Sequence, residues 1–104
     1  MPDLDDLLNQ ADAAGDDILA LEQALVRIET VNTGSMPTGN ETRVCEFVGD
    51  WPSREGIESE ILGRTPERGN IIARLEGRSG KAGLMFMSHS DVVPVEDESK
   101  WRFP

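Results

Sequence analysis

The chain has 104 residues, with 20 Asp plus Glu against 10 Lys plus Arg and a formal net charge of −10. This length allows one domain with a modest core. The acid excess argues against a nucleic-acid partner and against an anionic membrane surface, since both require clustered basic residues.

Cys45 is the single cysteine, so an intrachain disulfide, a zinc ribbon and a CxxC redox site are all excluded. The N-terminus "MPDLDDLLNQ" carries acids where a signal peptide would carry a basic segment, and no apolar run has the length that spans a bilayer. The expectation is a soluble, cytoplasmic chain.

In "DLDDLLNQADAA" (3–14), Leu4, Leu7, Leu8 and Ala11 recur at helical spacing, with Asp3 as N-cap. After Gly15, Asp16 and Asp17 open a second helix of about 17 to 31, where acids suit the positive end of the helix dipole. Ile18, Leu21, Leu25 and Ile28 form its buried stripe. "TGSMPTGN" (33–40) reads as loop. Thr38 and Glu41 have capping-box spacing for a third helix, whose stripe is Val44, Phe47, Val48 and Trp51. Pro52 should end or kink that helix near Trp51.

Strands are expected next. "GIESEIL" (56–62) alternates as a half-exposed edge strand does, and "NIIARLEG" (70–77) puts Ile71, Ala73 and Leu75 on one face. "GRTPERG" (63–69) and "GRSGKAG" (77–83) are connections; the latter lacks the glycine spacing and the Lys-Ser/Thr pair of a phosphate loop. "LMFMS" (84–88) is apolar on both faces, as an interior strand covered on both sides would be. Helices followed by such strands predict an α/β layered domain. Cys45, Met85 and Met87 read as core, and Trp101 as packed against the domain body.

The only histidine, His89, follows the apolar run, and Asp91 lies two positions on. Strand alternation puts the two on one face and turns Ser88 and Ser90 away, which makes a Ser-His-Asp triad geometrically poor. His-x-Asp suits a metal-binding imidazole whose second nitrogen is held by a carboxylate, at the strand end where open α/β sheets place their sites. A hydrogen-bonded structural histidine, with Asp91 capping a turn, fits the same spacing.

The stretch "LMFMSHSDVVPVEDESKW" resembles the first metal-ligand motif of the M20 metallopeptidases, a family of deacylases and carboxypeptidases. That pattern is an apolar strand, a small residue, His-x-Asp, Val-Val-Pro and a later tryptophan; here these are Leu84 to Met87, Ser88, His89, Asp91, Val92, Val93, Pro94 and Trp101. "LVRIETVNT", "VCEFVGDW" and "RGNIIARLEG" resemble the family's first helix, second helix and second strand, so the likeness spans about residues 16 to 104.

The resemblance implies an α/β fold, N-terminal helices plus the first strands of a mixed sheet in a zinc-exopeptidase-like catalytic domain, with residues 1–104 as its N-terminal portion. It implies that His89 is a zinc ligand and Asp91 the acid that orients and polarises its ring. It further implies a pair of zinc ions (cobalt being able to replace them), a substrate of the N-acyl amino acid or small peptide kind, and a homodimer formed through an inserted second domain. Zinc needs three or four protein ligands, and the family's others lie downstream of "KWRFP". Glu96, Asp97 and Glu98 read as a solvated acidic loop. Pro52 departs from the family, which runs this helix unbroken to the glycine matching Gly56. Three readings stay open: the first third or less of a metallohydrolase, itself inactive; a non-catalytic truncated copy; and a small α/β binding domain with a structural His-x-Asp.

Overall fold

The computed structural model describes residues 1–35, 38–81 and 83–103. Met36 and Pro37 of the expected loop, and Ala82 of the second connection, lie outside the described residues. In chain order the elements are α1 (Leu4–Ala13), α2 (Gly15–Val26), α3 (Thr42–Arg54), β1 (Ser59–Gly63), β2 (Gly69–Ala73) and a 3-10 turn at Glu98–Lys100. The architecture is α/β. Among the described residues no helix is long and apolar enough to cross a membrane.

Helix α1 begins as its sequence dictates. Asp3 accepts from the Asp6 amide at 2.9 Å, and Asp6 returns the bond to the Asp3 amide at 3.4 Å, a reciprocal cap for two otherwise orphaned donors. Helix α2 is shorter than its apolar spacing predicts, ending at Val26 rather than near residue 31. Leu21, Leu25 and Ile28 are half-buried, but Ile18 is exposed. The cause is a competing pairing: Thr30 to Asn32 leave the helix to run parallel beside Val92.

Helix α3 departs from expectation at both ends. It starts at Thr42 rather than after Thr38, because Gly39 (φ 98°) and Asn40 (φ 57°) hold left-handed conformations that no helix can include. The Thr38 hydroxyl instead donates to the Ser35 carbonyl at 2.5 Å. At the other end, Pro52 does not stop the helix, which continues to Arg54. Gly56 (φ 72°) supplies the termination, with Ile57 N–H donating to Pro52 C=O at 2.7 Å and Gly56 N–H to Ser53 C=O at 3.1 Å. These are the two bonds of a Schellman cap, and proline within the last turn does not obstruct them.

Strands β1 and β2 form an antiparallel hairpin with Ile61 opposite Ile71, closed by the expected turn between Gly63 and Gly69. Helix α3 lies across it. A side chain at Gly49 would come within 3.3 Å of the Ile71 δ-methyl, so glycine sets how closely helix and strand approach. Beneath this contact Val44 and Cys45 are the buried apolar residues among those described. The Cys45 thiol donates to Gly69 C=O at 3.3 Å, and desolvation raises its pKa, as befits a structural thiol.

The interior strand expected at 84–88 does not form. These residues pair with no strand among those described, and Leu84, Met85, Phe86 and Met87 are each more than three-quarters exposed. A strand apolar on both faces is stable only between neighbouring strands and beneath covering layers, and the hairpin supplies neither. Met85 and Met87 are therefore surface, not core, and Trp101 is 62% exposed rather than packed on the body. The radius of gyration is 17.0 Å, against about 13 Å for a compact chain of about 100 residues.

Candidate functional site

The site is assembled by one long-range pairing. Val92 N–H donates to Thr30 C=O at 3.1 Å, and Asn32 N–H donates to Val92 C=O at 2.8 Å. The buried Thr30 hydroxyl adds a bond to Ser90 C=O at 2.7 Å. Three bonds thus clamp the backbone on both sides of Asp91 against the segment that leaves α2. An open concavity lined by Asn32, Gly34, His89, Asp91, Val92 and Val93 results.

His89 and Asp91 meet in it. The His89 Nδ1 lies 2.8 Å from the Asp91 main-chain oxygen and 3.3 Å from its carboxylate Oδ1. The carbonyl, the shorter contact, can only accept, and so can an ionised carboxylate; Nδ1 therefore carries the hydrogen and donates. In the neutral ring this leaves Nε2 with its lone pair. The His89 side chain is 84% exposed, and Nε2 has no partner among the described residues. The arrangement can present one imidazole nitrogen, of fixed tautomer, to a ligand arriving from outside.

Asp91 is held in turn. Asn32 Nδ2 donates to its Oδ2 at 2.9 Å, and the Arg68 guanidinium stands 3.9 Å from the same oxygen. The Asn32 hydrogen bond, with the nearby His89 contributing less, draws the Asp91 pKa below the ordinary carboxylate value. Arg68 also contacts Glu41 Oε2 through Nε at 2.7 Å and donates to Thr38 C=O at 3.3 Å.

Ser88 donates at 3.5 Å to the His89 carbonyl, not to the ring, so this serine does not join the pair. Asp97 is occupied elsewhere: its Oδ1 accepts from Ser99 N at 3.1 Å and Ser99 Oγ at 2.6 Å, which holds its pKa down and caps the 3-10 turn. Among the described residues there is no group of three His, Cys, Asp or Glu that could hold a metal. Thr30, Asn32 and Arg68 have no part in the site as read from the sequence, and Glu41 figures there only as a helix cap. Nothing local to Asn32 points to a partner 59 positions away.

No family model and no solved structure gives a significant match to the chain. Curated proteins do. A probable succinyl-diaminopimelate desuccinylase of Staphylococcus epidermidis is 33% identical over 88 residues, 85% of this chain and 20% of that protein. The acetylornithine deacetylase of Vibrio cholerae is 38% identical over 65 residues, 62% of this chain and 16% of that protein. That of Vibrio atlanticus is 31% identical over 87 residues, 82% and 22% respectively. The chain thus spans about a fifth of the length of these relatives. Both names describe enzymes that remove an acyl group.

Proposed function

We propose that residues 1–104 are the N-terminal part of the catalytic domain of an M20-type metallohydrolase, whose parent cleaves the amide bond of an N-acyl amino acid or small peptide. Two observations support the setting: relatives named as deacylases match over much of this chain, and a large apolar surface, from Leu84 to Met87 above all, is left uncovered. The observation that carries the reading is the His89 ring, whose Nδ1 is held by both Asp91 acceptors while Nε2 faces outward.

The residues present fit a zinc ion only in part. His89 Nε2 is a suitable donor, and Asp91 is the partner that such an imidazole takes on its other nitrogen. Zinc requires three or four protein ligands, and the described residues offer no three-donor cluster. In this proposal His89 is one ligand, and the rest belong to other parts of the parent. When bound, a zinc pair would lower the pKa of a water and polarise the scissile carbonyl. This chain's part is narrower: Asp91 keeps the proton on Nδ1, directs the ring, and withdraws none of the lone-pair density at Nε2. By itself the chain is inactive.

Titration with cobalt tests this. Paramagnetic broadening centred on the His89 ring, weak and absent in His89→Ala, is the expected result; broadening that persists in that variant would remove His89 from the ligand set.

A second reading draws on the 2.8 Å contact of Nδ1 with the Asp91 main chain, which closes a local turn. There His89 serves structure only. That reading requires His89→Ala to lower folding stability clearly. With the side chain 84% exposed, the metal-ligand reading expects a change within about 0.5 kcal/mol.

A further inference from the structure

We infer that Asn32 is the positioning residue of the His89–Asp91 pair: its amide fixes which Asp91 oxygen faces the ring. This rests on the proposed role of His89 for its functional meaning, although the geometry stands by itself.

The Asn32 side chain has its two ends committed in opposite directions. Its Oδ1 accepts from Gly34 N–H at 2.8 Å, while its Nδ2 donates to Asp91 Oδ2 at 2.9 Å. Gly34 adopts φ 82°, which a glycine takes at no steric cost, and its amide closes a turn on the side chain two residues earlier. An amide held at its oxygen cannot flip, so the NH2 group must point at Asp91. Its main chain is fixed as well, through the bond from Asn32 N–H to Val92 C=O at 2.8 Å. Carboxylate and amide therefore meet between two clamped backbones.

The consequence falls on the other oxygen. With Oδ2 occupied by Asn32 and approached by Arg68 at 3.9 Å, Oδ1 is left toward His89 Nδ1 at 3.3 Å. A carboxylate free to rotate would offer the ring a changing second acceptor beside the Asp91 carbonyl at 2.8 Å, and the Nδ1–H tautomer would be less strongly favoured. Asn32 thus acts on the His89 ring through Asp91, without touching it.

The chain has one histidine, so ring 15N resonances report on His89 alone. Measured at about pH 8.5, where an ordinary imidazole of pKa about 6.5 is neutral, the natural chain should show the Nδ1–H tautomer. Asn32→Asp is the discriminating variant: it keeps an acceptor for Gly34 N–H, and so keeps the turn, but replaces the donor facing Asp91 by a like charge. We expect it to shift the ring toward Nε2–H and to weaken zinc binding by about tenfold or more, the scale on which such outer partners act. Asn32→Ala should behave likewise. An unchanged tautomer in Asn32→Asp, with native backbone shifts, would overturn the inference. Should both variants unfold, the natural chain decides: an Asn32 side-chain proton shifted downfield and slower to exchange than those of Asn9 supports it, and equality overturns it. Zinc failing to bind the natural chain, with the tautomer still responding to Asn32, would refute the ligand reading and leave the positioning intact.

Discussion

Arg68 and Glu41 form the shortest ion pair among the described residues, with Nε 2.7 Å from Oε2 and the Glu41 side chain only 10% exposed. The same guanidinium stands 3.9 Å from Asp91 and donates to the Thr38 carbonyl at 3.3 Å. One arginine from the hairpin turn thereby ties the start of α3 to the loop that holds the histidine.

Removing it leaves a nearly buried carboxylate without its cation. Arg68→Ala should lower stability by about 1–3 kcal/mol in urea unfolding, discounted from the deepest pairs because Arg68 is about a third exposed. Arg68→Lys should recover only part, since a point charge cannot serve Glu41 and Thr38 in the same fork. Full recovery by lysine would show that charge alone matters there.

Gly39 should tolerate no side chain. Its φ is 98°, and a Cβ there would lie 2.9 Å from Glu41 Oε2. The carboxylate could swing away only by leaving Arg68, so the clash and the backbone strain act together. Gly39→Ala is expected to cost about 1–3 kcal/mol; a neutral effect in thermal unfolding would mean that Glu41 is not anchored.

Thr42 carries the joint between α3 and the hairpin. Its hydroxyl donates to Pro66 C=O at 2.6 Å and accepts from Gly69 N–H at 2.8 Å. Thr42→Val keeps the shape and removes both bonds, so a loss of about 1–2 kcal/mol follows. Amide exchange should locate the loss: Gly69 N–H becomes less protected, whereas the α1 amides do not change.

The pH dependence has a definite sign. The Asp91 pKa lies below its ordinary 3.8, chiefly through the Asn32 hydrogen bond. Its contribution to stability is therefore complete above about pH 5 and is lost as the pH falls through the depressed folded-state value. The stability difference between the natural chain and Asp91→Asn should shrink as the pH falls below about pH 4. A difference that grows on acidification has the opposite sign and would contradict the Asn32 contact.

Much of this was legible in the chain itself, and the reasons for the rest are physical. Asp3 announced α1, because its capping bonds run to a residue three positions on. The hairpin followed from alternation on either side of a glycine-bounded turn. His89 and Asp91 do lie together, with side-chain atoms 3.3 Å apart, although the strand on which alternation was to place them does not form. The strand at 84–88 failed because strand formation depends on neighbours, which a run of apolar letters does not contain. The end of α2 was misplaced because the pairing that defeats it involves Val92. Asn32 and Arg68 were invisible for the same reason, since their roles exist only once segments distant in sequence have met.

In the role proposed for His89, Asp91 leaves Nε2 as the nitrogen offered to a metal. Zinc titration of the uniformly 15N-labelled chain tests it most directly. The Nε2 resonance should move on zinc addition while Nδ1 stays protonated, and His89→Ala should abolish the binding. Movement at Nδ1 in place of Nε2, or zinc binding that leaves the ring unperturbed, would contradict it.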